Sequence, residues 1–445
     1  MIELTRDNAL ATKANLASRV RACLEQTTVG APTHWWWVPG RVEVFGKHTD
    51  YGGGPSLVGA LPRGFLLAGR WRSDGVVRVL DSGDQSAFEL NLSTGASSPA
   101  EVVGWRRYVN VLARRLARDF PGAPLGADLA LGSDLPRASG MSSSSALVVG
   151  VANALVELAG IDRRADFLQA IPTRAALGGY FGCLENGLAF GPFPGDGGLG
   201  TFGGSEDQTA ILCSRPGYLS SFTYMPVRPV AEVALPEAWT FVFASSGIAA
   251  EKAGRAQALY NRASLGVRAL IDLWRSHAGP IESLTVALAA EPDAETRLRR
   301  LIDTHAVDGW APADLHARLT HFAREIPRVG DAVAAFAAGD APALGRLSAE
   351  SHRDADHLLG NQLPETNALV ALARESGAFA ASAFGAGFGG SVWALVEPGR
   401  LGVSADVFGD RWLARYLAQF PGHAGKSTVF AARPGLPLTG LSLPR

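Results

Sequence analysis

Lysine is nearly missing from this chain. In 445 residues it occurs at positions 13, 47, 252 and 426, and arginine carries almost all the positive charge. With the abundant Ala and Gly, this scarcity reflects genomic base composition more than function, and it makes each lysine easier to question. Cysteine is as sparse: Cys23, Cys183 and Cys213 stand far apart. That excludes a C-x-x-C motif and a disulfide framework, and suits a reducing compartment. No apolar run is long enough to span a bilayer. The stretch MIELTRDNALATKANL lacks the basic start and apolar core of a secretory signal. A formal net charge of -1 leaves no basic field for nucleic acid or an acidic membrane. These absences predict a cytoplasmic protein that binds neither nucleic acid nor membrane; they leave its oligomeric state open.

What is present is a globular composition, 47% hydrophobic and 19% charged, with length enough for two or three domains. The patterning predicts strands at 41–46, 65–71, 76–80 and 87–92, then an amphipathic helix over 105–120 with Trp105, Val109, Leu112, Leu116 and Phe120 on one stripe. A strand at 127–136 runs into a loop, and a small-residue helix follows at 144–160. Pro172 suits the first turn of another helix, ending near Asn186. From 187 to 204 the chain is glycine-rich and aperiodic, so that stretch is either a functional loop or poorly ordered. Helical patterns dominate 248–376, and the end reads strand, glycine loop, strand, helix, strand. The change from strand-rich to helix-rich near residue 225 marks the expected domain boundary.

Three glycine-rich stretches invite chemistry. In PGRVEVFGKHTDYGGG (39–54) a strand empties into Lys47, His48, Thr49, Asp50 and Tyr51, more functional groups than a turn requires. In DLPRASGMSSSSALVVG (134–150) a loop and four serines lead into a helix. The exposed N–H groups and hydroxyls of such a terminus can cradle phosphate, although the Walker lysine is absent and a plain serine N-cap reads equally well. In GAGFGGSVWALV (385–396) the glycines allow close backbone approach, or simply form a hairpin. Between the last two lie CLENG, with Glu185, and GGSEDQ, with Asp207. One carboxylate for magnesium and one to take a hydroxyl proton is what phosphoryl transfer asks for.

Taken together and in this order, these stretches resemble the galactokinase branch of the GHMP small-molecule kinases. GRVEVFGKHTDYGGG resembles its sugar-binding signature, PRASGMSSSSAL its nucleotide loop, GAGFGG its closing motif, and GGSEDQ the segment with its catalytic Asp. SSGIAAEKAGRAQALYNRAS (245–264) resembles the stretch whose tyrosine meets the sugar. The resemblance runs from about residue 39 to about 434. It implies an α+β, two-domain GHMP kinase fold. Residues 1–225 would form a mixed-sheet N-terminal domain, and 226–445 a ferredoxin-like, helical C-terminal domain. It further implies phosphorylation of a monosaccharide at the anomeric hydroxyl with ATP and magnesium. Arg41 and Asp207 would be catalytic. Lys47, His48, Asp50, Gly204 and Tyr260 would bind sugar; Gly140, Ser142, Ser143 and Ser144 would bind ATP; Ser144 and Glu185 would hold magnesium. The His-Thr-Asp-Tyr run suits a polyhydroxylated ring better than a non-sugar acceptor. The retained Arg41, Asp207, Glu185 and serine loop speak against a sugar- and ATP-binding regulator without turnover.

The chain departs from that pattern at several points. Lys47 stands where galactokinases carry Glu, Gly52 where they carry Asn, and Glu206 where an apolar residue is usual. The loop 187–202 is also longer. Two readings of Lys47 follow: it selects an acidic sugar such as a uronate, or it pairs with Glu206 and the substrate is neutral. Elsewhere the residues read plainly. Trp35 and Trp37 fall on one strand face and are expected in the core. His352 and His357, five apart, are expected on a solvated helix rather than on zinc.

Overall fold

The computed structural model describes residues 6–27, 31–94, 102–136, 140–248 and 254–442. Residues 137–139 of the serine loop and 249–253 of the tyrosine-bearing stretch therefore lie outside the described residues. The strands are β1 (His34–Phe45), β2 (Ser56–Trp71), β3 (Val76–Asp81), β4 (Ala87–Asn91), β5 (Ala127–Ser133), β6 (Tyr218–Thr223), β7 (Arg228–Ala234), β8 (Thr240–Ser245), β9 (Ala380–Phe384), β10 (Ser391–Val396), β11 (Val429–Ala432) and β12 (Thr439–Leu441). The first eight-stranded sheet runs β12-β1-β2-β5-β3-β4, with β6 pairing β2 and β7. It is mixed: β3 and β5 are parallel and the other pairs antiparallel. The second sheet, β11-β8-β10-β9, is antiparallel throughout. The predicted boundary near 225 falls in the turn between β6 and β7, both strands of the first sheet. At its far end the chain returns to that sheet as β12.

Alternation along the strands builds the layers. In β8 and β10, Phe241, Phe243, Trp393 and Leu395 face a core shared with Val42, Val44 and Leu57 of the first sheet. Val242, Ala244, Val392 and Ala394 face helices Pro364–Glu375 and Ala405–Gln419. The two sheets are thus joined through apolar side chains, with Trp393 6.2 Å from Phe45 ring to ring. On the first sheet, helix Trp105–Asp119 packs the predicted stripe inward, and Val109, Leu112 and Leu116 are fully buried. Helix Ser143–Leu158 is apolar nearly all round and is buried accordingly. Helix Arg6–Thr27 covers the opposite face, setting Leu16, Val20 and Leu24 against Trp35, Leu66 and Leu80. Trp35 and Trp37 are buried, and β1 begins at His34 rather than Arg41. It continues through Pro39 with a register irregularity between Pro39 and Arg41.

One expectation fails here. His352 is not on a solvated face: it bonds Asn367 at 2.9 Å, and Asp354 two residues on is buried against Arg328. Helix Ala341–Asp354 is pressed onto its long neighbour Pro312–Ala338, and of the two histidines it is His357 that is exposed.

Candidate active site

Arg41 stands in β1 at the end of the first irregularity, and three distant segments meet at its guanidinium. Its Nε donates to Asp207 Oδ1 at 2.7 Å, and its Nη1 donates to the Gly140 carbonyl at 2.9 Å. A β-carbon at Gly385 would sit 3.2 Å from its Nη2. The signature strand, the serine loop and the closing glycine motif therefore converge on one cation. Asp207, in the first turn of helix Glu206–Cys213, also accepts the Ser145 hydroxyl through Oδ2 at 3.0 Å. That helix N-terminus favours negative charge at Asp207.

A small, polar-lined pocket opens beside this pair. Of the residues expected to hold sugar, His48, Asp50, Gly204 and Tyr260 all line it. His48 has φ of 59°, a strained left-handed conformation. Its ring nitrogens lie 2.9 Å from the Tyr51 hydroxyl and 3.2 Å from Asn361 Nδ2, contacts that hold it there. Asp50 Oδ2 accepts the Glu206 N–H at 3.2 Å and fills the place a side chain at Gly204 would need, 2.3 Å from its would-be β-carbon. Gly52 is explained in the same way: a β-carbon there would come within 2.5 Å of the Phe322 ring.

Gly140, Ser142, Ser143 and Ser144 line a larger neighbouring cleft, floored by Trp105, Tyr108 and Leu147. Ser142 is left-handed, with φ of 57°, and the helix starts at Ser143. Glu185, at the end of helix Arg174–Asn186, lines the central pocket rather than the cleft, and its carboxylate accepts the Gln208 amide. Arg41 and Ala386 line both cavities, so Ser144 and Glu185 stand in adjoining chambers. The long loop is packed rather than loose. Phe193 and Leu199 are buried, Leu199 and Thr201 line the cleft, and Gln257 and Asn261 donate to the Gly200 carbonyl.

Lys47 corrects both readings of it. Its ammonium is buried, donates to Ser351 Oγ at 2.9 Å, and does not line the pocket. The reason lies behind the loop. Glu325, on helix Pro312–Ala338, accepts the N–H groups of Gly46 (3.0 Å) and Lys47 (3.3 Å) and the Ser351 hydroxyl (2.7 Å). Arg328 donates to its second oxygen at 3.0 Å. Burial alone would raise the Glu325 carboxyl, but Lys47 and Arg328 hold it down at about 2. Among the described residues Glu206 pairs with no lysine, and it lies 3.7 Å from Arg41.

Sequence reading passed over Ser145, Glu43 and Gln208, all of which line the pocket. Ser145 is the next serine of the quoted run, and Gln208 follows Asp207 directly. Glu43 is two residues from Arg41 on a strand, so the period of two alone sets it on the same side. Burial pushes the Glu43 carboxyl up to about 7 against the opposing pull of Lys47 and Arg41. Glu206 is likewise pushed well above the usual carboxylate range by burial, then by Glu43 and Asp50.

Comparison with known proteins bears on the whole chain. Residues 26–70 match the galactokinase galactose-binding signature, 107–181 the GHMP kinases N terminal domain, and 332–402 the GHMP kinases C terminal domain. A galactokinase of Chloroflexus aurantiacus is 30% identical over 386 residues, covering 85% of this chain and 88% of that protein. A galactokinase of Streptomyces coelicolor is 29% identical over 381 residues, covering 82% and 85%. The fold is that of Lactococcus lactis galactokinase, solved with galactose: TM-score 0.75 at 22% identity, covering 95% of this chain and 99% of that one. With its two sheets, its serine loop and the Arg41–Asp207 pair in place, the chain belongs to the galactokinase family of the GHMP kinases, as a sugar-kinase phosphotransferase.

Proposed function

We propose that the protein transfers the γ-phosphoryl group of ATP to the anomeric hydroxyl of a hexose held in the central pocket. The observation that carries this reading is the Arg41–Asp207 pair, 2.7 Å apart, at the seam between the pocket and the serine-lined cleft. The sugar O–H donates to the Asp207 carboxylate, and its oxygen attacks the γ-phosphorus in line. The β–γ bridging P–O bond breaks, and ADP leaves. Arg41 fixes the Asp207 carboxylate and stabilises charge developing on the phosphoryl oxygens. Ser145 holds the second Asp207 oxygen, so the carboxylate cannot swing. His48 and Asp50 supply polar groups for ring hydroxyls, and Tyr260 closes the wall. The Ser142–Ser144 turn and its helix N-terminus receive the phosphates.

Magnesium suits the donor set. Ser144 and Glu185 offer hard oxygen ligands on adjoining walls, and such an ion normally takes one or two protein ligands beside phosphates and water. Bound there, it would supply neutralisation of phosphate charge. The test is ADP release with a panel of hexoses, with the product's phosphorus position read by NMR. A hexose 1-phosphate formed only with ATP and magnesium is the expected product; phosphate on any other oxygen would overturn the anomeric assignment.

A further inference from the structure

The central pocket has a surplus of one kind of group. Among the described residues five carboxylic side chains line it, Glu43, Asp50, Glu185, Glu206 and Asp207, against one guanidinium, Arg41. Asp207 takes the Arg41 Nε and Ser145, Asp50 takes the Glu206 N–H, and Glu185 takes the Gln208 amide. Glu206 is left with a share of Arg41 at 3.7 Å. Glu43, 3% exposed, has an Oε1 with no hydrogen-bond partner. Gln208, 2% exposed, has given its Nε2 to Glu185, and its Oε1 also lacks a partner. Lys47 pulls on Glu43 by its charge but gives its hydrogen bond to Ser351 and does not line the pocket. Among the described residues, the wall formed by Glu43, Glu206 and Gln208 is short of hydrogen-bond donors and of positive charge.

We infer that the substrate is a hexose carrying a free amino group, whose ammonium is received by Glu43 and Glu206, and that acidic sugars are excluded. This rests on the reading of the site as a hexose kinase. A hydroxyl brings one donor and no charge; an ammonium brings three donors and a unit charge. A uronate would add charge of the wrong sign to a buried acidic site. The raised proton affinities of Glu43 and Glu206, caused first by burial, give the binding a signature. An arriving ammonium favours their ionised forms, so amino-sugar binding releases protons, whereas neutral sugar binding does not.

The experiment is calorimetric titration of the full chain at pH 7 with galactosamine, glucosamine, galactose and galacturonate, each in two buffers of different ionisation enthalpy. The expected result is at least about tenfold tighter binding of one amino sugar than of galactose, the size a single buried charge pair gives. Buffer-dependent heat should show proton release for the amino sugar alone, and galacturonate should not bind. In the Glu43→Gln, Glu206→Gln double variant the tenfold preference should disappear. Galactose bound as tightly as either amino sugar, with no proton release, overturns the inference: the two acids would then share a proton between themselves. The release is read on the unmodified protein, so a misfolded variant does not spare the proposal. ATP turnover is scored separately. Amino-sugar preference without turnover on any hexose would sink the kinase reading and leave the charge argument standing.

Discussion

Glu325 and Glu206 are both buried carboxylates close to the end of β1, and the fold treats them in opposite ways. Glu325 accepts two backbone N–H groups, a serine hydroxyl and an arginine, with Lys47 beside it, and it stays ionised in spite of burial. Glu206 has a share of one guanidinium and three acidic neighbours, and its carboxyl is driven by burial, and then by them, toward the neutral form. Each carries one of the charges that set this chain apart from its family pattern, Lys47 next to the first and Glu206 itself. A charge whose partners are complete belongs to the scaffold; here it shapes the turn that carries His48 and Asp50. A charge left short of partners, on a pocket wall, is waiting for a ligand.

The largest effect belongs to the seam itself. Asp207→Asn and Arg41→Ala should each lower phosphoryl transfer on the order of 10²–10⁴-fold while nucleotide still binds. Near-normal turnover in either variant, measured with saturating substrate, would remove that residue from catalysis. Next comes stability. Glu325→Gln should cost about 3–5 kcal/mol in denaturant unfolding, because Lys47 and Arg328 lose a buried counter-charge. Glu206→Gln should cost far less or stabilise, since it relieves a strained acid; equal losses would erase the distinction drawn above. Ser144→Ala and Glu185→Gln should shift the magnesium dependence of turnover more than the affinity for sugar, and an unshifted titration of Glu185→Gln would dismiss that carboxylate as a ligand.

The smallest effect is in pH. The folded-state value of Glu43, about 7, lies above its ordinary 4.5, so the folded protein binds more protons across that interval. Its contribution is whole below 4.5 and is lost as pH rises through about 7, so stability should decline over that window. Melting temperatures of the parent and of Glu43→Gln across pH 5 to 8 check this: the variant should show a flatter slope, and parallel curves would refute the assignment.

The sequence made the three glycine stretches legible, because backbone approach leaves a local trace. The family pattern carried Arg41 and Asp207 with them. The tryptophan run read as core for the same local reason, an alternation that needs no knowledge of the partner. Lys47 was misread because its partners are remote: Glu325 is 278 residues away and Ser351 304. Nothing near Lys47 marks them, and a charge inversion looks alike whether its answer lies in the ligand or in a distant helix. His352 escaped the pattern for a related reason, since polar spacing along a helix does not reveal a second helix packed on it. Helix Arg6–Thr27 was within reach. Leu16, Val20 and Leu24 repeat every four residues, a stripe too thin to stand out among polar neighbours. β12, three residues long, has no periodicity to read.

Which carboxylate Lys47 answers is measured directly by a double-mutant cycle. Unfolding free energies of Lys47→Met combined with Glu325→Gln, and of Lys47→Met combined with Glu206→Gln, give the two coupling energies. Coupling of about 1–3 kcal/mol to Glu325, and within about 0.5 kcal/mol of zero to Glu206, is the predicted outcome. Strong coupling to Glu206 with none to Glu325 would contradict it, returning Lys47 to the sugar pocket.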